Sequence, residues 1–326
     1  MLVETLLFIV KFIVGLVLII KGADWLTDGA SAIARRFNIP SLVIGLTIVA
    51  FGTSAPELVV SVVSAVEGKT EMAIGNVVGS NLFNTLAIMG TTALIFPVAC
   101  SKNNIRFDVP FCLLASGLLM GMALHGEEIS RLDGIILLVF FLVFMAYTFR
   151  MARSSRKHKE ADDTVVPMAM WKAVLLFLFG LGCLIFGGEW LVDGASGIAL
   201  LLGVSQSIVA LTIVAAGTSF PELVTSVMAA RKGDTDMAMG NVLGSNIFNI
   251  FLILGVSSTI APLSLGSIGP IDLGVMTLGV AFLWLACKVG KKYHYIERYE
   301  GALLLFCAIA YYTWAVLKAT GYIMSS

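Results

Sequence analysis

Glu57 and Glu222 stand inside long apolar stretches, where an ionised carboxylate is costly to keep. Each directly follows a proline, in Gly52-Thr53-Ser54-Ala55-Pro56-Glu57 and Gly217-Thr218-Ser219-Phe220-Pro221-Glu222. Proline lacks a backbone N–H and clashes with the carbonyl one turn earlier, so a helix loosens there. Carbonyls near Ala50 to Thr53 and Ala215 to Thr218 are expected to be freed, and in lipid a freed carbonyl needs a partner. Further on, Asn76, Ser80 and Asn84 recur every four residues and so share a helical face. Asn241, Ser245 and Asn249 do the same. Carboxylate, amide, hydroxyl and carbonyl are all hard oxygen donors. They suit Na⁺ or Ca²⁺, and the pattern offers no thiolate or imidazole set for a transition metal.

A magnitude narrows the choice of ion. Two carboxylates ~6 Å apart at an effective dielectric near 20 repel by roughly 3 kcal/mol, before any desolvation cost. One divalent ion, a few monovalent ions or protons would relieve that repulsion. A cage of this kind accepts Ca²⁺ and Na⁺ alternately but poorly together, which is the requirement for antiport.

The elements that must position these residues follow from composition. The 326 residues are 58% hydrophobic and 13% charged, with a mean hydropathy of +0.96. A soluble domain carries about 25% charged residues, so a water-soluble enzyme is not expected. Lys+Arg 21 against Asp+Glu 21 leaves no net charge to attract nucleic acid. The five cysteines lack CxxC spacing and read as small buried hydrophobes, and the three histidines lie far apart. No cofactor is expected, and no obligatory protein partner is evident. The first apolar run reads as a membrane helix rather than a removed signal.

A spanning helix takes about 20 mostly apolar residues. Runs of that kind cover 3–21, 40–66, 71–99, 107–124 and 133–149, then 170–188, 204–230, 236–263, 270–289 and 301–318. The second, third, seventh and eighth are longer than a bilayer requires, so they are expected to be tilted or broken. The division is 1–149 and 170–326, five helices each, around a polar linker at 150–169. Numbering the connections alternately puts 17 of the Lys and Arg residues on one side and 4 on the other. That bias places the central linker in the cytoplasm and both termini outside, in a plasma (inner) membrane.

Residues 46–84 align without a gap on 211–249 at an offset of 165, with 27 identities in 39 positions. The match extends upstream, from 22–31 to 187–196. The chain is therefore a duplicated unit. Five helices separate equivalent points, and five is odd, so the second copy enters the membrane from the opposite side. The expected fold is an all-α membrane protein, ten transmembrane helices as two inverted five-helix repeats. Inverted repeats characterise secondary transporters, whose sites form at the midplane where broken helices meet.

Other polar residues have blander readings. Ser61 and Ser226 are as readily packing residues as ligands. Asn81 and Asn246 read as interhelical glue. Asp24, Asp28, Glu189 and Asp193 lie near helix ends, and Glu71 and Asp236 suit the positive end of a helix.

At the paired Gly-Thr-Ser-x-Pro-Glu motifs, each followed by Gly-Ser-Asn-x-x-Asn (79–84 and 244–249), the sequence resembles the cation/Ca²⁺ exchanger superfamily, in particular its prokaryotic sodium/calcium exchangers. That resemblance implies a central site shared by the second, third, seventh and eighth helices. It implies that Glu57 and Glu222 ligate Ca²⁺ together with backbone oxygens of Thr53 and Thr218. Ser80, Ser245, Ala50 and Ala215 would form flanking Na⁺ sites, with Asn84 and Asn249 between them, and the first and sixth helices would slide to alternate access. In potassium-dependent relatives the position of Asn249 resembles an Asp, so Asn here argues against K⁺ coupling. The expected function is Na⁺/Ca²⁺ antiport by alternating access, with Ca²⁺/H⁺ or K⁺-dependent exchange as alternatives. An intramembrane enzyme has little use for duplicated motifs, and HExxH is absent.

Overall fold

The structure is a computed structural model that describes residues 2–126, 128–155, 168–202, 217–289 and 294–319. Backbone polar groups in lipid must be satisfied within their own segment, so the apolar runs fold as helices. In chain order these are α1 (Leu2–Arg36), α2 (Ser41–Thr53), α3 (Ala55–Val66), α4 (Thr70–Ile95), α5 (Asn104–His125) and α6 (Arg131–Ser155). The second half has α7 (Met170–Leu201), α8 (Phe220–Arg231), α9 (Thr235–Ile260), α10 (Pro270–Val289) and α11 (Arg298–Ala319). Among the described residues, eight helices are long and apolar enough to span a bilayer, and α2 with α3 forms a ninth, bent by 49°. The expected span at 204–230 is described only from Gly217 onward.

Four two-residue strands establish the inversion. They are β1 (Val98–Ala99), β2 (Glu128–Ile129), β3 (Leu263–Ser264) and β4 (Tyr295–Ile296). β1 pairs antiparallel with β4, and β2 with β3. β1 precedes α5 and β2 follows it, and a 22-residue helix is about 33 Å long, so the two ladders lie at opposite ends of the bundle. β3 is the repeat equivalent of β1, at the same offset of 165, yet it sits with β2. Equivalent points of the two copies therefore lie at opposite ends, as the odd helix count requires.

The largest departure from expectation is α1. Its apolar run ends near Lys21, but the helix continues to Arg36. At 35 residues it is about 52 Å long, more than a ~30 Å hydrocarbon layer needs. What carries it on is a seam of glycines against α7. Gly15, Gly22 and Gly29 recur every seven residues, and so do Gly180, Gly187 and Gly194. A Cβ on Gly180 would lie 2.5 Å from Leu26 N, and one on Gly29 2.6 Å from the Ala173 carbonyl oxygen. The two backbones run antiparallel in direct contact, as small residues permit in membranes. Polar residues one turn apart, Asp24 and Asp28, leave the seam and pair with Lys232 at 2.6 and 2.7 Å. Hydropathy alone stops the helix early because it counts those aspartates against it.

Among the described spanning helices, α4 and α9 are the most enclosed. In α9, the residues from Met237 to Ile247 are all buried. Gly68 (φ +74°) and Gly233 (φ +82°), equivalent positions, supply the left-handed backbone that turns α3 into α4 and α8 into α9.

Candidate functional site

The prolines break the helices where expected. Ser54 (φ −87°, ψ 8°) and Ser219 (φ −94°, ψ 4°) leave helical geometry, and a new helix begins just after each. Pro56 and Pro221 fall in the first turn of α3 and α8, where no intrahelical N–H bond is lost. Glu57 and Glu222 follow in that same first turn. A helix N-terminus favours negative charge, so the break also steadies the acid.

Both glutamates are buried, each 1% exposed. They are joined across the repeats. Ser54 Oγ donates to Glu222 Oε1 at 3.0 Å, and Ser219 Oγ donates to Glu57 Oε1 at 3.3 Å. Each half thus holds the other's carboxylate, and the two carboxylates lie near enough to repel one another. Thr218 sits beside Glu57.

Asn76 and Asn241 serve the frame. Asn76 Nδ2 donates to the Glu57 carbonyl at 3.2 Å and to Ser61 Oγ at 2.9 Å. Asn241 Nδ2 repeats this with the Glu222 carbonyl at 3.3 Å and Ser226 Oγ at 2.9 Å. Ser61 and Ser226 therefore lock α3 to α4 and α8 to α9. Asn81 Nδ2 donates to the Asn246 carbonyl at 3.2 Å, Asn246 Nδ2 to Thr85 Oγ1 at 2.7 Å, and Asn249 Nδ2 to Asn81 Oδ1 at 2.9 Å. These bonds fasten α4 to α9.

What remains unpaired is the informative set. Glu57 Oε2, Glu222 Oε2, Ser80 Oγ, Ser245 Oγ, Asn84 Oδ1 and Asn249 Oδ1 are buried with no hydrogen-bond partner among the described residues. An unmet buried polar atom costs about 1–3 kcal/mol. The six are among thirteen such atoms in the described residues, and they come three from each repeat at equivalent positions. Four of the six are carboxylate or amide oxygens, which can only accept, so a partner for them would be a cation or a proton donor.

Thr53 and Ala50 are more engaged. Thr53 Oγ1 lies 3.1 Å from the Val49 carbonyl oxygen and 3.2 Å from Asn241 Oδ1. The Ala50 carbonyl accepts the Ser54 N–H at 3.0 Å, with Thr53 Oγ1 at 3.4 Å. The kink thus does not free the Ala50 carbonyl in this conformation, because Ser54 keeps its N–H on the preceding turn and only Pro56 lacks one. Ala215 lies outside the described residues.

Sequence reasoning offered the hydroxyls of Ser54 and Ser219 but not their reach across the repeats. It also missed two π-helical turns, Phe83–Ile88 and Phe248–Leu254, which carry Asn84 and Asn249. Such turns are wider than α and frequently mark functional sites. The acids near helix ends stay out of the cage. Asp24 and Asp28 hold Lys232, and Asp193 pairs with Lys11 at 3.0 Å.

The sodium/calcium exchanger protein family matches residues 7–150 and 172–317, one stretch in each repeat. This chain belongs to that family. The exchanger is 39% identical over 313 residues to the putative antiporter CaxA of Alkalimonas amylolytica, covering 92% of this chain and 95% of that one. It is 31% identical to the sodium/calcium exchanger MaX1 of Methanosarcina acetivorans, over 92% and 95% of the two chains. Its fold is similar to that of the sodium-calcium exchanger NCX_Mj, with a TM-score of 0.82 at 32% identity, covering 96% of this exchanger and all of that chain. The exchanger is thus a multi-pass membrane transporter with two inverted repeats.

Proposed function

We propose that this chain moves Ca²⁺ out of the cell against Na⁺ moving in, through one cage reached alternately from each side. The observation that carries this reading is the symmetric set of six unpaired buried oxygens on Glu57, Glu222, Ser80, Ser245, Asn84 and Asn249. In this reading Glu57 and Glu222 balance the charge of Ca²⁺, helped by backbone oxygens of Thr53 and Thr218. Ser80, Ser245, Asn84 and Asn249, with the carbonyls of Ala50 and Ala215, serve Na⁺ beside them. Two carboxylates neutralise one Ca²⁺ or two Na⁺, and holding both loads together leaves excess positive charge in a low dielectric. The ions therefore exclude each other, which couples their movement. The units are 1–149 and 170–326, with the linker 150–169 in the cytoplasm, both termini outside, and the whole in the plasma (inner) membrane.

The test is flux into proteoliposomes under ion replacement. A Na⁺ gradient is expected to drive ⁴⁵Ca²⁺ counterflow, with K⁺ or a pH gradient giving less than about a tenth of that rate. Equal counterflow on a pH gradient without Na⁺ would instead make it a Ca²⁺/H⁺ antiporter.

A milder prediction concerns the serines that cross the repeats. Ser54→Ala or Ser219→Ala removes one hydrogen bond to a carboxylate, worth about 1.5 kcal/mol or more. The half-saturating Ca²⁺ concentration is expected to rise about tenfold in either variant. Unchanged Ca²⁺ dependence in both would show that the serines do not position the acids.

A further inference from the structure

The cysteines read from sequence as separate buried hydrophobes, but two of them meet. Cys100 follows β1, Cys287 lies in the last turns of α10, and their sulfurs are 2.7 Å apart. Both are buried thiols, 187 residues apart in the chain. A disulfide S–S bond is about 2.05 Å, so ~0.7 Å of closure separates this contact from a covalent bond. The surrounding backbone is held firmly. β1 pairs with β4, and the Cys100 N–H donates to the His294 carbonyl at 2.7 Å.

Cys100, itself only 3% exposed, borders open space. It lines a cavity of about 290 Å³ together with Ala99, Ser101, Asp234, Asp236 and Tyr295. Those residues come from the connection between α4 and α5, the turn into α9 with its first turn, and the connection between α10 and α11, at the end of the bundle that carries β1 and β4. The cavity has room for a small molecule such as a peroxide, and Cys100 rather than Cys287 is among its lining residues. The Cys287 thiol and burial both push the Cys100 thiol up from its ordinary value, so the pair is slow to react.

We propose that Cys100 and Cys287 form an oxidisable dithiol, a modification site that hydrogen peroxide reaches through this cavity. The Cys100 thiolate attacks peroxide to give a sulfenic acid and hydroxide, which takes up a proton as water. Cys287 sulfur then displaces the sulfenic oxygen, which leaves as a second water, and the S–S bond forms. The two thiols lose two protons and two electrons, and one peroxide becomes two waters. The product ties β1 to the end of α10, away from the ion cage. In a reducing cytoplasm the pair rests as dithiol.

The experiment uses the full chain with its exposed cysteine replaced, Cys307→Ser, to exclude bridges between molecules. After hydrogen peroxide treatment in detergent, thiols counted under denaturing conditions are expected to fall from the four that remain to two. Mass spectrometry without reductant should find the peptides of Cys100 and Cys287 linked, and dithiothreitol should restore all four thiols. The oxidised protein should also melt several degrees higher, because the bridge closes a long loop. Adding Cys100→Ser or, separately, Cys287→Ser should abolish both the link and the shift. Four thiols surviving in the parent, or thiols lost with no linked peptide, would overturn the proposal.

Discussion

Glu57→Gln and Glu222→Gln are each expected to lower Na⁺-driven ⁴⁵Ca²⁺ flux by at least about 100-fold. Glutamine keeps the shape of the side chain and an oxygen able to accept from Ser219 or Ser54, so the reciprocal bonds between the repeats survive. What changes is the charge. Each substitution removes one of the two buried negative charges that the proposed function sets against a divalent ion, and a 100-fold effect needs only about 2.7 kcal/mol. Interactions between charges a few ångströms apart at an effective dielectric near 20 are of at least that size. The same substitution removes the repulsion between the two carboxylates. Thermal stability in detergent without Ca²⁺ should accordingly hold or rise. Flux lost together with stability would mark the acids as scaffold, and flux retained would reject them as ligands.

Gly180→Leu is expected to abolish the monodisperse, folded protein, while Gly182→Leu on the same helix leaves it intact. The Cβ of the first would press on Leu26 N at 2.5 Å and on the Gly22 carbonyl oxygen at 2.7 Å, both backbone atoms of α1. Backbone in a helix cannot yield locally, so the two helices must separate along the seam. Gly182 has no atom within 4 Å of its would-be Cβ and faces outward. Overpacking costs typically 1–3 kcal/mol even where a core can adjust. Here the cost adds to the loss of close contact along α1 and α7, and a melting midpoint lower by about 10 °C is the minimum expected effect. Size-exclusion chromatography and a thermal melt of both variants decide the matter. Equal peaks and equal midpoints would show that the seam does not hold the pair.

The two variants probe features that were unequally visible in the amino-acid sequence. Glu57 and Glu222 declare themselves locally: an acid after a proline in an apolar run is legible without any fold. The glycine seam is written in the sequence too, at intervals of seven, but its meaning needs α1 beside α7. Hydropathy ended α1 near Lys21 because Asp24 and Asp28 look unfit for a membrane helix, and only the distant Lys232 accounts for them. Asn76 and Ser80 illustrate the same limit. They share one face, yet Asn76 is consumed by the Glu57 carbonyl and Ser61, whereas Ser80 Oγ has no partner.

By itself the sequence determined the membrane class, the duplication, the inversion and the chemical nature of the donors. Hydropathy, residue order and the parity of a helix count are properties of the chain and need no coordinates. Only the tertiary structure decided which oxygens are spent on the frame and which remain open, that Ser54 and Ser219 cross between the repeats, and that Cys100 meets Cys287. A buried polar atom or a thiol takes its partner from whatever the fold packs against it, and partners that join separate helices lie 15 residues apart in the chain for Asn76 and Ser61 and 188 for Thr53 and Asn241.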